Sequence, residues 1–207
     1  MNTTYQVKQA RLRTAVVKAE LSYSVAKETA ARLGRAAPVR HKCFVSYHGA
    51  DIDEVTAFIE EFADVFIPRV VGVSDSDHFQ EPVNSKDEDY IKEAIGAKYL
   101  TQSSVTIVFA GSCTWSRKYV DWEIASTVRN GTKNKRAGLL GITPASRAQN
   151  TLPPRLKANV DSGYAKYVWY PKTAENLRGS IEDAFQARIA RTGLVVGGSL
   201  MKKDKAC

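Results

Sequence analysis

The sequence has few of the residues and motifs from which recognisable sites are usually built. Only three of its 207 residues are cysteines, Cys43, Cys113 and Cys207, and they lie far apart with no CxxC pair. This spacing disfavours a zinc site and a disulfide framework, and it predicts free thiols in a reducing cytoplasm, with Cys113 as a small loop residue. The glycine patterns of a Rossmann GxGxxG turn and of a P-loop are absent, which disfavours hydride transfer and P-loop chemistry. No apolar run approaches the ~20 residues of a membrane span, and no signal peptide opens the chain.

The middle of the chain, residues 41–200, carries no net charge. The formal net charge is +8, but residues 1–40 carry +6 of it and residues 201–207 carry +2. A nucleic-acid-binding protein is expected to carry a basic face on its fold, so no specific nucleic acid is expected as a partner. These changes in net charge along the chain predict a basic helical extension over 1–40, a domain over 41–192 and a disordered basic tail over 193–207.

The extension shows a helical pattern over residues 5–33. Its apolar positions alternate at spacings of four and three, and Gly34 and Pro38 follow as stop signals. The members of this seam are Leu12, Val16, Ala19, Tyr23, Ala26, Ala30 and Leu33. Packing on the body or self-association into a homo-oligomer is the expected role of this helix, and binding of another partner is the alternative.

The body alternates short apolar runs with amphipathic helical patterns. Strands are predicted over residues 42–47, 69–73, 105–109, 138–142 and 165–170. Helices are predicted after Asp51 and Ser116, each as the N-cap of its helix, and over 89–100 and 173–189. Loops are predicted over 74–87 and 143–163. Short strands without alternation are typical of a parallel sheet covered on both faces. The prediction is therefore an α/β protein with a five-stranded parallel sheet in a flavodoxin-like winding.

One carboxylate, Glu123, lies on the helix that follows the central strand. Tyr119 and Glu123 are four residues apart, beside an apolar stripe that can lie on the sheet. In the predicted winding, the loops after the first three strands meet near the switch point between the first and third strands. The groups expected beside Glu123 are Ser46, Tyr47, His48, the 74–87 loop and residues 112–115. The alternative interpretation is that Glu123 only favours the positive end of its helix.

These groups suit a particular chemistry. Aromatic side chains such as Tyr47 and Trp115 can stack on a flat base or a pyridinium ring. A single carboxylate can hold a ribose hydroxyl and stabilise an oxocarbenium-like transition state. The opposing interpretation is that the aromatics are core residues, which we expect for Trp122 and Trp169. A hydrolase triad of Ser46, His48 and Asp51 is disfavoured because no strained turn frames the serine.

Two segments carry a resemblance to a known family. SVTIVFAGSCTWSRKYVDWEI and FVSYHGAD resemble the TIR-like proteins of the bacterial Thoeris anti-phage system, the ThsB family, over roughly residues 42–142 and more loosely to 190. The resemblance implies a flavodoxin-like TIR fold with helices on both faces of the sheet, and it leaves the N-terminal helix as an addition. It also implies that the protein cleaves NAD+ at the nicotinamide–ribose bond. The ADP-ribose part would become a cyclic or conjugated signalling nucleotide that activates a separate effector protein.

The resemblance also implies roles for individual residues. It places the catalytic carboxylate on Glu123, with NAD+ as substrate and neither a cofactor nor a metal. The implied substrate-binding residues are Ser46, Tyr47, His48, Phe79, Ser112, Trp115 and Tyr119. Two other functions stay open: a non-enzymatic TIR scaffold acting through protein contacts, and a nucleoside deoxyribosyltransferase on a similar sheet.

Overall fold

Five parallel strands form one sheet within the residues that the computed structural model describes, 3–70, 87, 90, 94, 97, 100, 103–131, 135–146 and 151–207. The strands are β1 (Lys42–Ser46), β2 (Ile67–Arg69), β3 (Val105–Phe109), β4 (Gly138–Ile142) and β5 (Lys166–Val168). Their spatial order is β2-β1-β3-β4-β5, and each neighbouring pair is parallel. This is the flavodoxin-like order, so the predicted fold class is confirmed. The switch point lies between β1 and β3, where Ser46 is in register with Val108.

Helices precede and connect these strands. They are α1 (Thr3–Arg32), α2 (Ile52–Glu61), α3 (Lys118–Val128), α4 (Pro154–Asp161) and α5 (Ala174–Ala190). Helix α4 falls in the segment that the sequence predicted as a loop, and it begins with Pro154, which suits the first helical position. The predicted loop over 74–87 and the predicted helix over 89–100 lie largely outside the described residues. No helix in the described part of the chain is long and apolar enough to cross a bilayer.

The sheet is covered on both faces. Along β3, Val105, Ile107 and Phe109 join one hydrophobic cluster, whereas Val108 joins another. The first cluster includes residues of α1, α2 and α5, and the second includes residues of α3 and α4. This alternation follows from the two-residue period of a strand, and it places α3 on the opposite face from α1.

Helix α1 packs on the body through one narrow stripe. Leu12, Ala15, Val16 and Ala19 are buried, and α1 contacts α2 and β2. The Lys8 ammonium pairs with the Asp53 carboxylate at 2.7 Å. Helix α1, which the sequence assigned to a separate extension, therefore contributes to the hydrophobic core of the domain.

The C-terminal tail is placed differently from the sequence expectation of disorder. Leu200 is buried beside Trp122. The Trp122 indole donates to the Met201 carbonyl at 2.8 Å, and the Met201 amide donates to the Asp121 carboxylate at 2.8 Å. Residues 193–207 are thus held on the surface of α3 and α4, because backbone groups of the tail satisfy polar side chains of these helices.

Two of the three cysteines form a disulfide. Cys113 and Cys207 are joined with a Cα–Cα distance of 5.5 Å, and Cys43 is free and buried. The expectation of three free thiols was wrong, since residues 94 positions apart in the sequence meet at the loop after β3. Sequence spacing cannot reveal such a pair, because only the folded tail brings the two side chains together.

Candidate functional site

Glu123 lies at the switch point and is hydrogen bonded to β1. Its side chain is partly buried on the second turn of α3. The buried Ser46 hydroxyl, at the end of β1, donates to Glu123 Oε2 at 2.6 Å. Burial raises the pKa of Glu123 from 4.5 to about 7, and the hydrogen bond from Ser46 opposes this shift only in part. The carboxyl group is consequently poised between its neutral and ionised forms near neutral pH.

Tyr47 follows Ser46 directly at the end of β1. Its ring packs against the same hydrophobic cluster as Tyr5. Burial raises the pKa of Tyr47 most strongly, and the nearby charges of Tyr5 and Glu123 raise it further. Contact with the Gln9 amide lowers it slightly. Of these two expected site residues, Ser46 contacts Glu123 directly, whereas Tyr47 packs on the cluster of α1 and α2 and senses the Glu123 charge.

His48 lies at the same edge of the sheet, half-buried. Burial and the Arg117 charge lower its pKa, and the charges of Asp51 and Asp204 oppose the shift. Its Nδ1 is buried and has no hydrogen-bond partner among the described residues. A neutral imidazole with an unsatisfied ring nitrogen can offer a hydrogen bond to a ligand.

The loops after β1 and β3 are locked together. The buried Thr114 hydroxyl contacts Asp51 Oδ2 and the Phe109 carbonyl, each at 3.3 Å. Asp51, predicted as a helix cap, makes no capping hydrogen bond and instead faces this loop. Gly111 permits the close approach, because a Cβ at this position would lie 1.9 Å from Asp51 Oδ2. The loop is therefore held in a fixed position beside the switch point.

The other expected site residues that the structure describes lie in the loop after β3 and on α3. Trp115 is partly buried and Ser112 is exposed in the loop after β3. Tyr119 packs edge-on against Trp122, with ring centroids 5.3 Å apart, on the side covered by the tail. Trp122 is a packing residue, as expected, whereas Trp169 is 61% exposed, so its expected core role was wrong. Phe79 lies outside the described residues.

Helix α3 is anchored by groups far away in the sequence. Asp121 and Arg155 form a buried, two-pronged ion pair, with O–N distances of 2.9 and 3.1 Å. The first-turn amide of Lys118 donates to Asp204 Oδ1 at 2.8 Å. Ser116, predicted as the cap of this helix, instead bonds the Cys113 carbonyl. A tail residue thus caps the helix that carries Glu123, and the two anchors fix its position.

Sequence reasoning missed two residues near this site, Tyr5 and Gln9. They continue the seam of Leu12 and Val16 toward the start of α1, at the same spacing of four and three. A glutamine on an otherwise apolar seam was the available signal, because a buried amide needs hydrogen-bond partners.

Polar and aromatic side chains are the groups that the described residues bring to this site. No cluster of three potential metal ligands occurs in the part of the chain that the structure describes. A cavity of about 490 Å³ lies elsewhere, between α4 and the tail, and Asp121 and Arg155 in its wall are already paired. Among the described residues, the groups at this edge of the sheet are therefore the Glu123 carboxyl group, the Ser46 hydroxyl and the His48 imidazole, with the Asp51 carboxylate already bound to Thr114.

A parallel sheet in this order, with the Glu123 carboxyl group beside its switch point, defines a flavodoxin-like α/β protein. The family model described as "Thoeris protein ThsB, TIR-like domain" matches residues 44–149, just over half of the chain, and the chain belongs to that family. It is accordingly a TIR protein of anti-phage defence. The match begins within β1 and ends after β4, so α1, α4, β5, α5 and the tail lie outside it. No curated protein matches the chain.

Proposed function

We propose that this protein cleaves NAD+ at the nicotinamide–ribose bond. The observation that carries the proposal is the position of Glu123, which is hydrogen bonded to Ser46 at the switch point and partly buried. Ligands of open α/β sheets bind at this crevice. A carboxyl group with a pKa of about 7 is substantially ionised at neutral pH, so it can stabilise positive charge that develops on a sugar.

The proposed reaction needs a single carboxylate. The C1′–N bond breaks, and its electron pair leaves with the ring nitrogen, so that the pyridinium becomes neutral nicotinamide. Since no proton is needed by this leaving group, a second carboxyl group acting as an acid is unnecessary. A hydroxyl or other nucleophile then attacks C1′ and releases a proton, which Glu123 can accept.

The product is proposed to be a signalling nucleotide. With water as the nucleophile the product is ADP-ribose, and with a group of the same or another molecule it is a cyclic or conjugated nucleotide. Such a product would diffuse to a separate effector protein and activate it, consistent with membership of a defence family.

Nicotinamide release is the direct test. Purified protein and phage-infected cells are assayed for nicotinamide and for adenine-containing products by liquid chromatography and mass spectrometry. We expect release by the wild type, loss of at least a hundredfold with Glu123→Gln, and no loss with Glu175→Gln, an exposed glutamate on α5. A wild type that releases no more nicotinamide than Glu123→Gln in both settings would show the proposal to be wrong.

A scaffold function has one observation in its favour. Helix α1 exposes large apolar residues on its free side, with Val17 58%, Leu21 62% and Val25 53% exposed. Exposed apolar stripes at helical spacing are typical of protein-binding surfaces. Phage protection that persists in Glu123→Gln and is lost in Leu21→Arg would favour the scaffold over the enzyme.

A further inference from the structure

An open cavity of about 490 Å³ lies between α4 and the C-terminal tail, away from the switch point. Helix α4 contributes Pro154 and Ala158 to its lining, and the tail contributes Leu200 and Met201. Small-molecule sites have volumes in this range, and they combine apolar walls with a few polar groups. Helix α4 and the tail both follow the residues of the family match, so the match does not account for this cavity.

Hydrogen bonds hold the two walls of the cavity in place. Arg155 of α4 donates to the Ser199 carbonyl at 2.8 Å, and the Met201 amide donates to Asp121 Oδ2 at 2.8 Å. The Asp121 carboxylate also receives the buried Arg155 guanidinium, so the charges of these two side chains compensate each other. The cavity is therefore a built feature of the folded chain, and the ion pair in its wall adds no net charge.

Three lysines of the tail line the same cavity. Lys202, Lys203 and Lys205 are exposed, and none of them forms an ion pair with another described residue. Asp204, the acidic residue among them, instead pairs with Arg117 at 3.4 Å and caps α3. The cavity consequently carries an excess of positive charge.

The combination of charge and apolar lining restricts the class of ligand. Exposed lysines alone would indicate only a solvated surface, but these lysines share a cavity with apolar side chains. An inorganic anion would leave the apolar lining in water, and a purely apolar ligand would leave the lysines without a counter-charge. A phosphate monoester carries a charge of about −1.5 to −2 at neutral pH, and lysine binds phosphate as a point charge.

We propose that this cavity binds an organic phosphate such as a nucleotide. The apolar or flat part of the ligand lies against α4 and Leu200, and its phosphate groups lie at the three lysines. A ligand that bridges α4 and the tail stabilises the folded attachment of the tail. This inference does not rest on NAD+ cleavage, because it concerns a site separate from that of Glu123.

Calorimetric titration with ADP tests the role of the lysines. ADP is added to the wild type and to a triple variant that carries Lys202→Gln, Lys203→Gln and Lys205→Gln. We expect the triple variant to bind ADP at least tenfold more weakly, and the wild-type affinity to fall as salt is added, because both changes weaken the attraction of the lysines for phosphate. Circular dichroism is expected to show that the triple variant is folded, since these side chains are exposed.

A second triple variant is the matched control. It removes the same number of positive charges at exposed lysines elsewhere, by Lys18→Gln, Lys27→Gln and Lys172→Gln. We expect it to change ADP affinity by less than about twofold, because screening suppresses the effect of distant charges. Glu123→Gln protein is expected to bind ADP at this cavity like the wild type.

Two further probes test the two parts of the ligand. Pyrophosphate lacks the organic part and adenosine lacks the phosphates, so both are expected to bind more weakly than ADP. Pyrophosphate that binds as tightly as ADP would show that the apolar lining contributes nothing, and adenosine that does so would show that the lysines contribute nothing. Either result would overturn the proposed ligand class.

The wild type decides whether the site exists. Absence of ADP binding to the wild type, or equal ADP affinities of the wild type and both triple variants, would overturn the proposal. Neither result depends on whether nicotinamide is released, so the function proposed for Glu123 is judged separately.

Discussion

At the scale of single residues, two opposing effects act on Glu123. Burial favours its neutral form, and the Ser46 hydroxyl at 2.6 Å favours its ionised form. The net effect raises the pKa of Glu123 from 4.5 to about 7, so burial is the larger of the two effects. A charged group kept partly out of water costs stability, and such costs are common at functional sites.

Glu123→Gln is expected to stabilise the protein at high pH. The unfolded pKa of 4.5 lies below the folded pKa of about 7, so the folded state binds more protons between these values. The penalty is absent below about pH 4.5, grows as pH rises to 7 and is complete above it; a shift of this size corresponds to up to about 3 kcal/mol. Urea unfolding of both proteins at pH 4.5 and pH 8 measures the difference, and equal gains at the two pH values would contradict the assignment.

Ser46→Ala should shift the titration of Glu123 upward. The substitution removes the donor that favours the ionised form, so the pKa of Glu123 rises above about 7. The ascending limb of the pH–rate profile for nicotinamide release is expected to move to higher pH, and NMR titration of the labelled carboxyl group reports the same shift without turnover. Ser126→Ala, which changes a buried serine elsewhere on α3, should leave both unchanged.

At the scale of secondary-structure elements, α1 is part of the domain. Its buried stripe contributes to the cluster under α2 and the sheet. Removal of residues 1–37 would therefore expose core surface and cannot separate a scaffold from an enzyme. Point changes on the two sides of the helix separate packing from partner binding more cleanly.

Leu12→Ala and Leu21→Ala make the same chemical change on opposite sides of α1. Leu12 is fully buried, and its truncation is expected to reduce the free energy of unfolding by about 2–5 kcal/mol. Leu21 is 62% exposed, and its truncation is expected to change the free energy by less than about 0.5 kcal/mol. Urea unfolding measures both; a comparable loss from the two variants would show that α1 is buried differently, for instance in a homo-oligomer.

At the scale of the whole molecule, the C-terminal tail is bonded to the start of α3 and to the loop after β3. Asp204 caps α3, and the Cys113–Cys207 bond joins the last residue to the loop after β3. Reduction of this bond would free the end of the tail, whereas Thr114 and Asp51 would still hold the loop after β3.

Cys207→Ser is expected to lower thermal stability. The bond closes a loop over a separation of 94 residues, and native disulfides of this kind contribute about 2–4 kcal/mol. We expect a lower Tm by several degrees in differential scanning calorimetry, and a reducing agent should lower the wild-type Tm to that of the variant. A wild-type Tm that does not change on addition of the reducing agent would mean that the bond is not formed in solution.

Short apolar runs in the sequence predicted most of the strands, because such a run depends only on neighbouring residues in the chain. The apolar runs of β1, β3 and β4 are recognisable, since strands buried on both faces need continuous apolar residues. Helix α4 was missed because its apolar content is low. The start of β2 was predicted two residues too late, since Phe66 and Ile67 resemble a continuation of the apolar pattern of the preceding helix.

The sequence by itself determined the five-stranded parallel sheet and the position of Glu123 on the helix after its central strand. It also indicated which loops meet there, because strand order and chain direction follow from the alternation of elements. Only the tertiary structure decided that α1 and the tail belong to the site region. The contacts of Lys8, Asp204 and Cys207 join residues far apart in the chain, and no periodicity encodes a contact between separate ends of a fold.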